Sequence, residues 1–419
     1  MQKAIAGRAF PAASIAITYR GRLVAFKTLG TFTFEPSSES RTGALPFSRS
    51  LREGGDFEVQ SNKPEAAAAS SAKSGRSAVN PYTLFDLASL TKVVATTTMA
   101  MLLYNRGLLD LDAPLAAIIP EFISDAAPDP RRREVTLRML LAHSSGLPAY
   151  EKLFLKAKTR DQLLHAAITM PLAVDPGTRA VYSDIGFITL GLALERLADE
   201  SLDRFCQREI FAPLGMTNTT FNPPAELRPQ IPPTADEREE RESANDECGV
   251  GALAREQPAQ KDKPSVSPQT RSTFRQRIIQ GEVQDENASV LGGIAPHAGL
   301  FSTPRDLAQF AHAMLNAGRP ILRPQTIALF TRRESAPLGT TRALGWDTPS
   351  TPSLSGKHFS PQSYGHVGYT GTSLWIDPIR QLSVTLLTNR TWPDCSNYAI
   401  NKVRPLFHDA VVEALEKSP

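Results

Sequence analysis

Ser89-Leu90-Thr91-Lys92 sets a hydroxyl and an amine three residues apart, a spacing that on a helix puts both side chains on one face within a turn. A serine hydroxyl is a weak nucleophile until a neighbouring base takes its proton, and a lysine whose pKa is lowered by burial or nearby cations can be that base. Where such a serine opens a helix, the helix N-terminus also turns a backbone N–H toward a developing oxyanion. These residue types at this spacing point to acyl transfer through a covalent ester on the serine.

The motif needs its surroundings to carry weight, because S-x-x-K arises by chance about once in a chain of this length and ordinary composition. Ser70-Ser71-Ala72-Lys73 also fits the pattern. It lies in a polar tract where nothing excludes water or holds geometry, so no catalytic part is expected of it. Other chemistries find no footing. The G-x-S-x-G elbow of a Ser-His-Asp hydrolase is absent, and the seven histidines show no H-E-x-x-H or similar ligand spacing. No metal and no cofactor are expected. Cys206, Cys248 and Cys395 stand apart without C-x-x-C spacing and read as isolated structural residues, with neither a disulfide framework nor a zinc site.

The elements around the motif must position it. Ser14 to Arg20 and Arg22 to Leu29 are β-rich runs joined through Gly21, which predicts a hairpin. Residues 36–80 turn to Ser, Ala, Gly, Glu and Pro and read as a flexible surface insertion. Phe85 to Gly107 carries apolar residues at helical spacing and predicts one long buried helix. Helices follow at Leu137 to Ala142, Arg160 to Met170, Ile185 to Ala198 and Leu202 to Phe211. A second polar tract spans 234–272 and reads as an insertion or lid. Then come a helix at Arg305 to Asn316, strands at Thr372 to Ile376 and Leu382 to Thr388, and a closing helix from about Asn397 to Lys417. Strands at both ends with helices between imply one sheet assembled from the two termini.

Phe85-Asp86-Leu87-Ala88-Ser89-Leu90-Thr91-Lys92 resembles the nucleophile segment of the serine β-lactamase and penicillin-binding-protein superfamily. Leu140 to Pro148 resembles the loop that follows in that family, and Tyr182-Ser183-Asp184 stands where its Tyr-x-Asn motif falls. His366-Val367-Gly368-Tyr369-Thr370-Gly371 resembles its Lys-Thr-Gly strand in the His-x-Gly form of class C-like enzymes and esterases. The resemblance covers most of the chain outside the two polar tracts. It implies an α/β plus all-α fold of the β-lactamase/transpeptidase type, with an antiparallel sheet from both termini and an inserted mainly helical domain. The α/β domain is expected over 1–90 and 290–419, the helical domain over 91–289, and the active site between them.

Carried over by position, the resemblance makes Ser89 the nucleophile, with Lys92 and Tyr182 as its proton-handling partners. The backbone N–H groups of Ser89 and Tyr369 would form the oxyanion hole, and Asp184, His366, Gly368, Asn287 and His297 would line the substrate site. His366 in place of lysine offers a weaker, pH-dependent charge to a substrate carboxylate. Asp184 in place of asparagine lacks the amide donor that faces a substrate carbonyl, which argues against efficient β-lactam turnover and leaves a bridge to Lys92 open. His143 and Ser144 are expected to be structural. Asp285-Glu286-Asn287-Ala288, Leu291-Gly292-Gly293 and His297 to Thr303 resemble the signature of a branch containing esterases, carboxypeptidases and amidases that trim peptidoglycan fragments.

The expected function is therefore a serine hydrolase of amide or ester bonds, acting on cell-wall peptides or esters. A β-lactamase, or a sensor of the same fold that captures an acyl group without turnover, is the alternative. A formal charge of +3 without a basic stripe argues against nucleic acid as a partner. The longest apolar run, Val93 to Tyr104, is too short and too threonine-rich to span a bilayer. The first eight residues do not read as a signal peptide. The chain as written reads as cytoplasmic, or periplasmic if a leader has been removed.

Overall fold

A computed structural model of the protein describes residues 1–34, 77–238 and 274–417. Ten strands occur among them: β1 (Ala12–Tyr19), β2 (Arg22–Gly30), β3 (Phe85–Asp86), β4 (Thr220–Phe221), β5 (Pro233–Asp236), β6 (Ile278–Gln280), β7 (Leu300–Ser302), β8 (Tyr364–Val367), β9 (Ser373–Asp377) and β10 (Leu382–Thr388). The main sheet runs β2-β1-β10-β9-β8 and is antiparallel throughout. The first strands of the chain thus pair with the last. β1 and β2 meet at Arg20 and Gly21, both at positive φ, the backbone a two-residue turn needs to match the twist of its strands.

Alternation along the sheet assigns its two faces. Ile17, Trp375, Leu382 and Val384 pack with Val411 and Val412 of the closing helix Ile400–Glu416. Leu374, Ile376 and Leu387 face the main core. That core is continuous with the helical part, where Leu137, Leu140, Ile185, Ile188 and Leu194 pack around the central helix.

The central helix begins later than its apolar spacing predicts. Phe85 and Asp86 pair with β7, Ala88 takes a left-handed φ of 47°, and a wide π turn over Lys92–Thr97 leads into the α-helix Thr98–Asn105. Burial on every side removes the amphipathic contrast by which a buried strand and a buried helix are told apart.

The two polar tracts lie largely outside the described residues. Their described edges belong to the fold. Ala78 bridges to Thr31, and Thr234, taken as the start of the second insertion, sits buried in β5 against β6. One further correction concerns the cysteines: Cys206 is free and buried, whereas Cys395 is disulfide-bonded. No helix among the described residues is long and apolar enough to cross a membrane.

Candidate active site

Ser89 stands at the turn between β3 and the central helix, and its approach is fixed from several sides. The Asp86 carboxylate accepts the N–H of Ala88 at 2.8 Å and that of Gln284 at 2.7 Å. Holding a non-glycine residue left-handed costs energy that surrounding bonds must offset, and the first of these bonds falls on the strained residue itself. Two threonines beyond β8 tie the same segment down, Thr370 Oγ1 donating to Asp86 O at 2.7 Å and Thr372 Oγ1 to Leu87 O at 2.9 Å. A Cβ on Gly368 would lie 2.5 Å from Leu87 O. Only glycine lets the strand end come this close to the nucleophile's loop.

Ser89 Oγ accepts a hydrogen bond from Tyr182 at 2.7 Å and lies 3.0 Å from Lys92 Nζ. Lys92 Nζ also donates to His297 O at 2.9 Å and pairs with Asp184 Oδ1 at 2.6 Å. Serine, lysine and tyrosine, separated by up to 93 residues in sequence, therefore converge on one oxygen. Burial pulls the Lys92 pKa below its usual value of 10.5 while the Asp184 carboxylate pulls it back. Burial and the Asp184 charge together drive the Tyr182 phenol well above 10, against the Ser89 hydrogen bond and the Arg342 guanidinium. The resting phenol is thus protonated, and burial makes the Lys92 ammonium easier to deprotonate than an exposed one.

Tyr182 is held by His143, whose Nδ1 accepts the Ser183 N–H at 3.0 Å and whose ring lies 4.7 Å from the Tyr182 ring. His143 O accepts the N–H of Val181 at 2.8 Å. Burial first, then the nearby cations, lower the His143 pKa well below 6.5, so it positions as a neutral ring. Ser144 contributes only backbone bonds, to Met139 and Gly177.

The expected substrate-lining residues separate into two groups. His366 lines a cavity beside Tyr182, and Gly368 packs against the loop that carries Ser89. Asp184, Asn287 and His297 are turned inward. Asp184 is the counter-ion of Lys92 and so takes the bridging role rather than facing a substrate carbonyl. Asn287 accepts from Phe154 N at 3.0 Å and donates to Glu151 O at 2.9 Å, stapling the loop between them. His297 Nε2 lies 3.0 Å from Asp285 Oδ1, which fixes the carbonyl that Lys92 uses. Burial alone would raise the Asp285 pKa, but His297 and the Ala288 N–H hold it below the ordinary range.

His366 supplies no positive charge at neutral pH. Burial lowers its pKa to about 4 against the opposing pull of Asp347. Its Nδ1 lies 2.8 Å from Val367 O, and a carbonyl can only accept, so Nδ1 carries the proton and Nε2 is left as an acceptor. The two peptide units on either side of Tyr369 are held in turn, since Arg404 Nη2 donates to Gly368 O at 2.5 Å and Arg390 Nε to Tyr369 O at 2.7 Å. Nothing in the sequence pointed to these two arginines, which reach the loop from the C-terminal segment. Arg342 and Asp347 were missed as well. They bound a cavity of about 290 Å³ beside Tyr182 and His366, and their segment carries no motif.

The Beta-lactamase family model matches residues 1–401 of the chain. The chain belongs to the Beta-lactamase family. It is 34% identical to an N-acetylmuramyl-L-alanine amidase of Bacillus subtilis (strain 168), over 74% of this chain and 68% of that protein. It is 32% identical to an Escherichia coli (strain K12) protein named as a candidate D-alanyl-D-alanine carboxypeptidase, over 74% and 69%. Among solved structures, EstCE1, titled a hydrolase with promiscuous acyltransferase activity, aligns at a TM-score of 0.64 with 18% identity over 96% of both chains. A class C β-lactamase of Rhodobacter sphaeroides aligns at 0.59 with 19% identity, over 98% of this chain and 97% of that one. The fold is that of the β-lactamase/transpeptidase group, and this member of the Beta-lactamase family is a serine hydrolase.

Carboxylates under the site make its stability depend on pH. Burial first, then the charge of Asp285, raise Glu286 from 4.5 to about 7. A folded carboxyl that binds its proton more tightly than the unfolded one contributes stability at low pH, and this is lost as pH rises from about 4.5 through about 7. Glu286→Gln is expected to leave the melting temperature at pH 4.5 near that of the native protein and to raise it by a few degrees at pH 8. Thermal unfolding followed across that range checks this, and parallel curves for the two proteins would refute it.

Proposed function

We propose that the chain hydrolyses amide or ester bonds through an acyl-enzyme on Ser89, with cell-wall peptides or esters as substrates. The observation that carries this is the convergence of Tyr182 at 2.7 Å and Lys92 at 3.0 Å on Ser89 Oγ, the arrangement that makes a serine hydroxyl nucleophilic. Oγ attacks the carbonyl carbon as its proton passes to the Lys92 amine. The backbone N–H groups of Ser89 and Tyr369 receive the oxyanion. On collapse, Tyr182 gives its hydroxyl proton to the leaving nitrogen or oxygen and is reprotonated from Lys92. Water then releases the acyl group by the reverse route.

The amidase and carboxypeptidase names of its relatives support a cell-wall substrate, and the likeness to EstCE1 supports esters. β-Lactam turnover is the weaker reading, because Asp184 supplies no amide donor and is committed to Lys92. Incubation with p-nitrophenyl acetate, nitrocefin and a muramyl peptide, with intact-protein mass spectrometry, tests the reading. Sustained turnover with a transient adduct on Ser89 is expected. One equivalent of product followed by arrest would identify a non-turnover acyl sensor instead, and an adduct elsewhere would overturn the site.

A further inference from the structure

In the acyl-transfer reading above, one of the two oxyanion donors is the N–H of Tyr369. That N–H shares its peptide unit with the carbonyl of Gly368, and a cation sits on the carbonyl. Arg404, buried on the closing helix Ile400–Glu416, donates from Nη2 to Gly368 O at 2.5 Å and to Thr372 O at 3.1 Å. These two residues begin and end a turn that also closes on itself, with Gly368 N donating to Thr372 O at 2.8 Å and Gly371 N to Gly368 O at 3.0 Å. Thr370 and Thr372 tie the same turn to Asp86 O and Leu87 O, on the segment leading to Ser89. One guanidinium therefore clamps the stretch of backbone that carries half of the oxyanion hole.

Burying a guanidinium is costly unless hydrogen bonds offset the water it loses, and a neutral donor would hold a turn in place without that cost. What the charge adds is polarisation. The C=O and N–H of a trans peptide point opposite ways, so a cation on the Gly368 oxygen and an anion on the Tyr369 N–H both drive the electrons of one amide toward its oxygen. Hydrogen bonds chained in this way strengthen one another in a low-dielectric interior, and a charged donor makes the stronger bond. Arg390 gives the contrast. It donates to Tyr369 O at 2.7 Å, and the N–H of that peptide unit belongs to Thr370, so Arg390 holds the loop without acting on the donor. We propose that Arg404 is a positioning residue of the oxyanion hole: it fixes the peptide unit between Gly368 and Tyr369 and polarises it, so that the Tyr369 N–H binds developing negative charge more strongly than an ordinary amide does. This rests on the Ser89 acyl-enzyme reading and extends it to a side chain of the closing helix.

The test compares p-nitrophenyl acetate with its thionoester, in which sulfur replaces the carbonyl oxygen, by the ratio of their acylation rates, read as nitrophenolate release with enzyme in excess. Sulfur is a weak hydrogen-bond acceptor, so the thionoester gains little from the oxyanion donors while its leaving group is the same. The ratio is insensitive to the fraction of a variant that folds, because both esters see the same enzyme. Arg404→Gln is expected to lower the ratio of oxygen to sulfur ester about tenfold, less than the roughly 10²–10³-fold that loss of a whole donor costs. Arg404→Lys keeps the charge but has one nitrogen to span two carbonyls, and should lower the ratio only about threefold. If Arg404→Gln does not fold, the lysine variant decides alone. A ratio that stays native, including one where the rate falls equally on both esters, would overturn the proposal and leave Ser89 in place. Release of nitrophenolate from the oxygen ester by the native protein no faster than by Ser89→Ala would overturn the underlying reading and this one with it.

Discussion

Ser89→Ala abolishes sustained turnover of every ester and amide the native protein accepts, a loss expected to be roughly 10⁴-fold or more in kcat. The reason is covalent: alanine has no atom with which to form the acyl-enzyme, and the proton chain of Tyr182 and Lys92 is left with nothing to activate. The fold should survive. Ser89 is a small side chain whose neighbours keep their other partners, Lys92 through Asp184 and His297 O and Tyr182 through the His143 stack. Circular dichroism and melting temperature therefore stay near native while a boronate or fluorophosphonate probe no longer adds its mass. Ser70→Ala is the matched control, since Ser70 opens the chain's other S-x-x-K, and it should leave the rate unchanged. Loss of activity in Ser70→Ala with retention in Ser89→Ala would place the nucleophile elsewhere.

How much of this site can be read from the sequence depends on whether the information is local. Leu382–Thr388 is a strand over the predicted residues, because a short β-branched run between polar turns has few other fates. Ser89 and Lys92 announce themselves by type and spacing and Tyr182 through the resemblance of its segment to the family's Tyr-x-Asn motif, and the structure brings all three to one oxygen. The supports do not announce themselves. His143 reads as one histidine in a loop, yet its ring sets Tyr182 and Ser183. Asp184 reads as a lost amide donor with a bridge to Lys92 left open, and the structure settles the choice by placing its carboxylate 2.6 Å from Lys92. Arg342 arrives on a turn with no period of its own and gains its place through its bridge to Asp347, which in turn pairs with Gly365 of β8. Arg404 is one charged residue among several on an amphipathic helix until its contact with Gly368 O is seen. Such residues act through long-range contacts, for which spacing along the chain carries no signal.

Tyr182→Phe removes a single oxygen and should separate proton transfer from positioning. The ring of phenylalanine can keep the stack on His143 at 4.7 Å and Lys92 Nζ over its face at 4.9 Å, so the scaffold is preserved while the bond to Ser89 Oγ is lost. Because burial holds the native phenol protonated, its part is donation to the leaving group more than abstraction from serine. The consequence is a dependence on leaving group. An amide or alkyl ester expels a strongly basic atom that needs a proton, and kcat should fall about 10²–10⁴-fold with little change in KM, the range usual for general acid–base groups. p-Nitrophenolate leaves without one, so the same variant should lose much less on the nitrophenyl ester. If the loss is equal on both, Tyr182 serves geometry alone. If the rate is near native on both, Lys92 carries the whole proton traffic, and its pKa, lowered by burial and restored in part by Asp184, then sets the limb on which activity rises with pH.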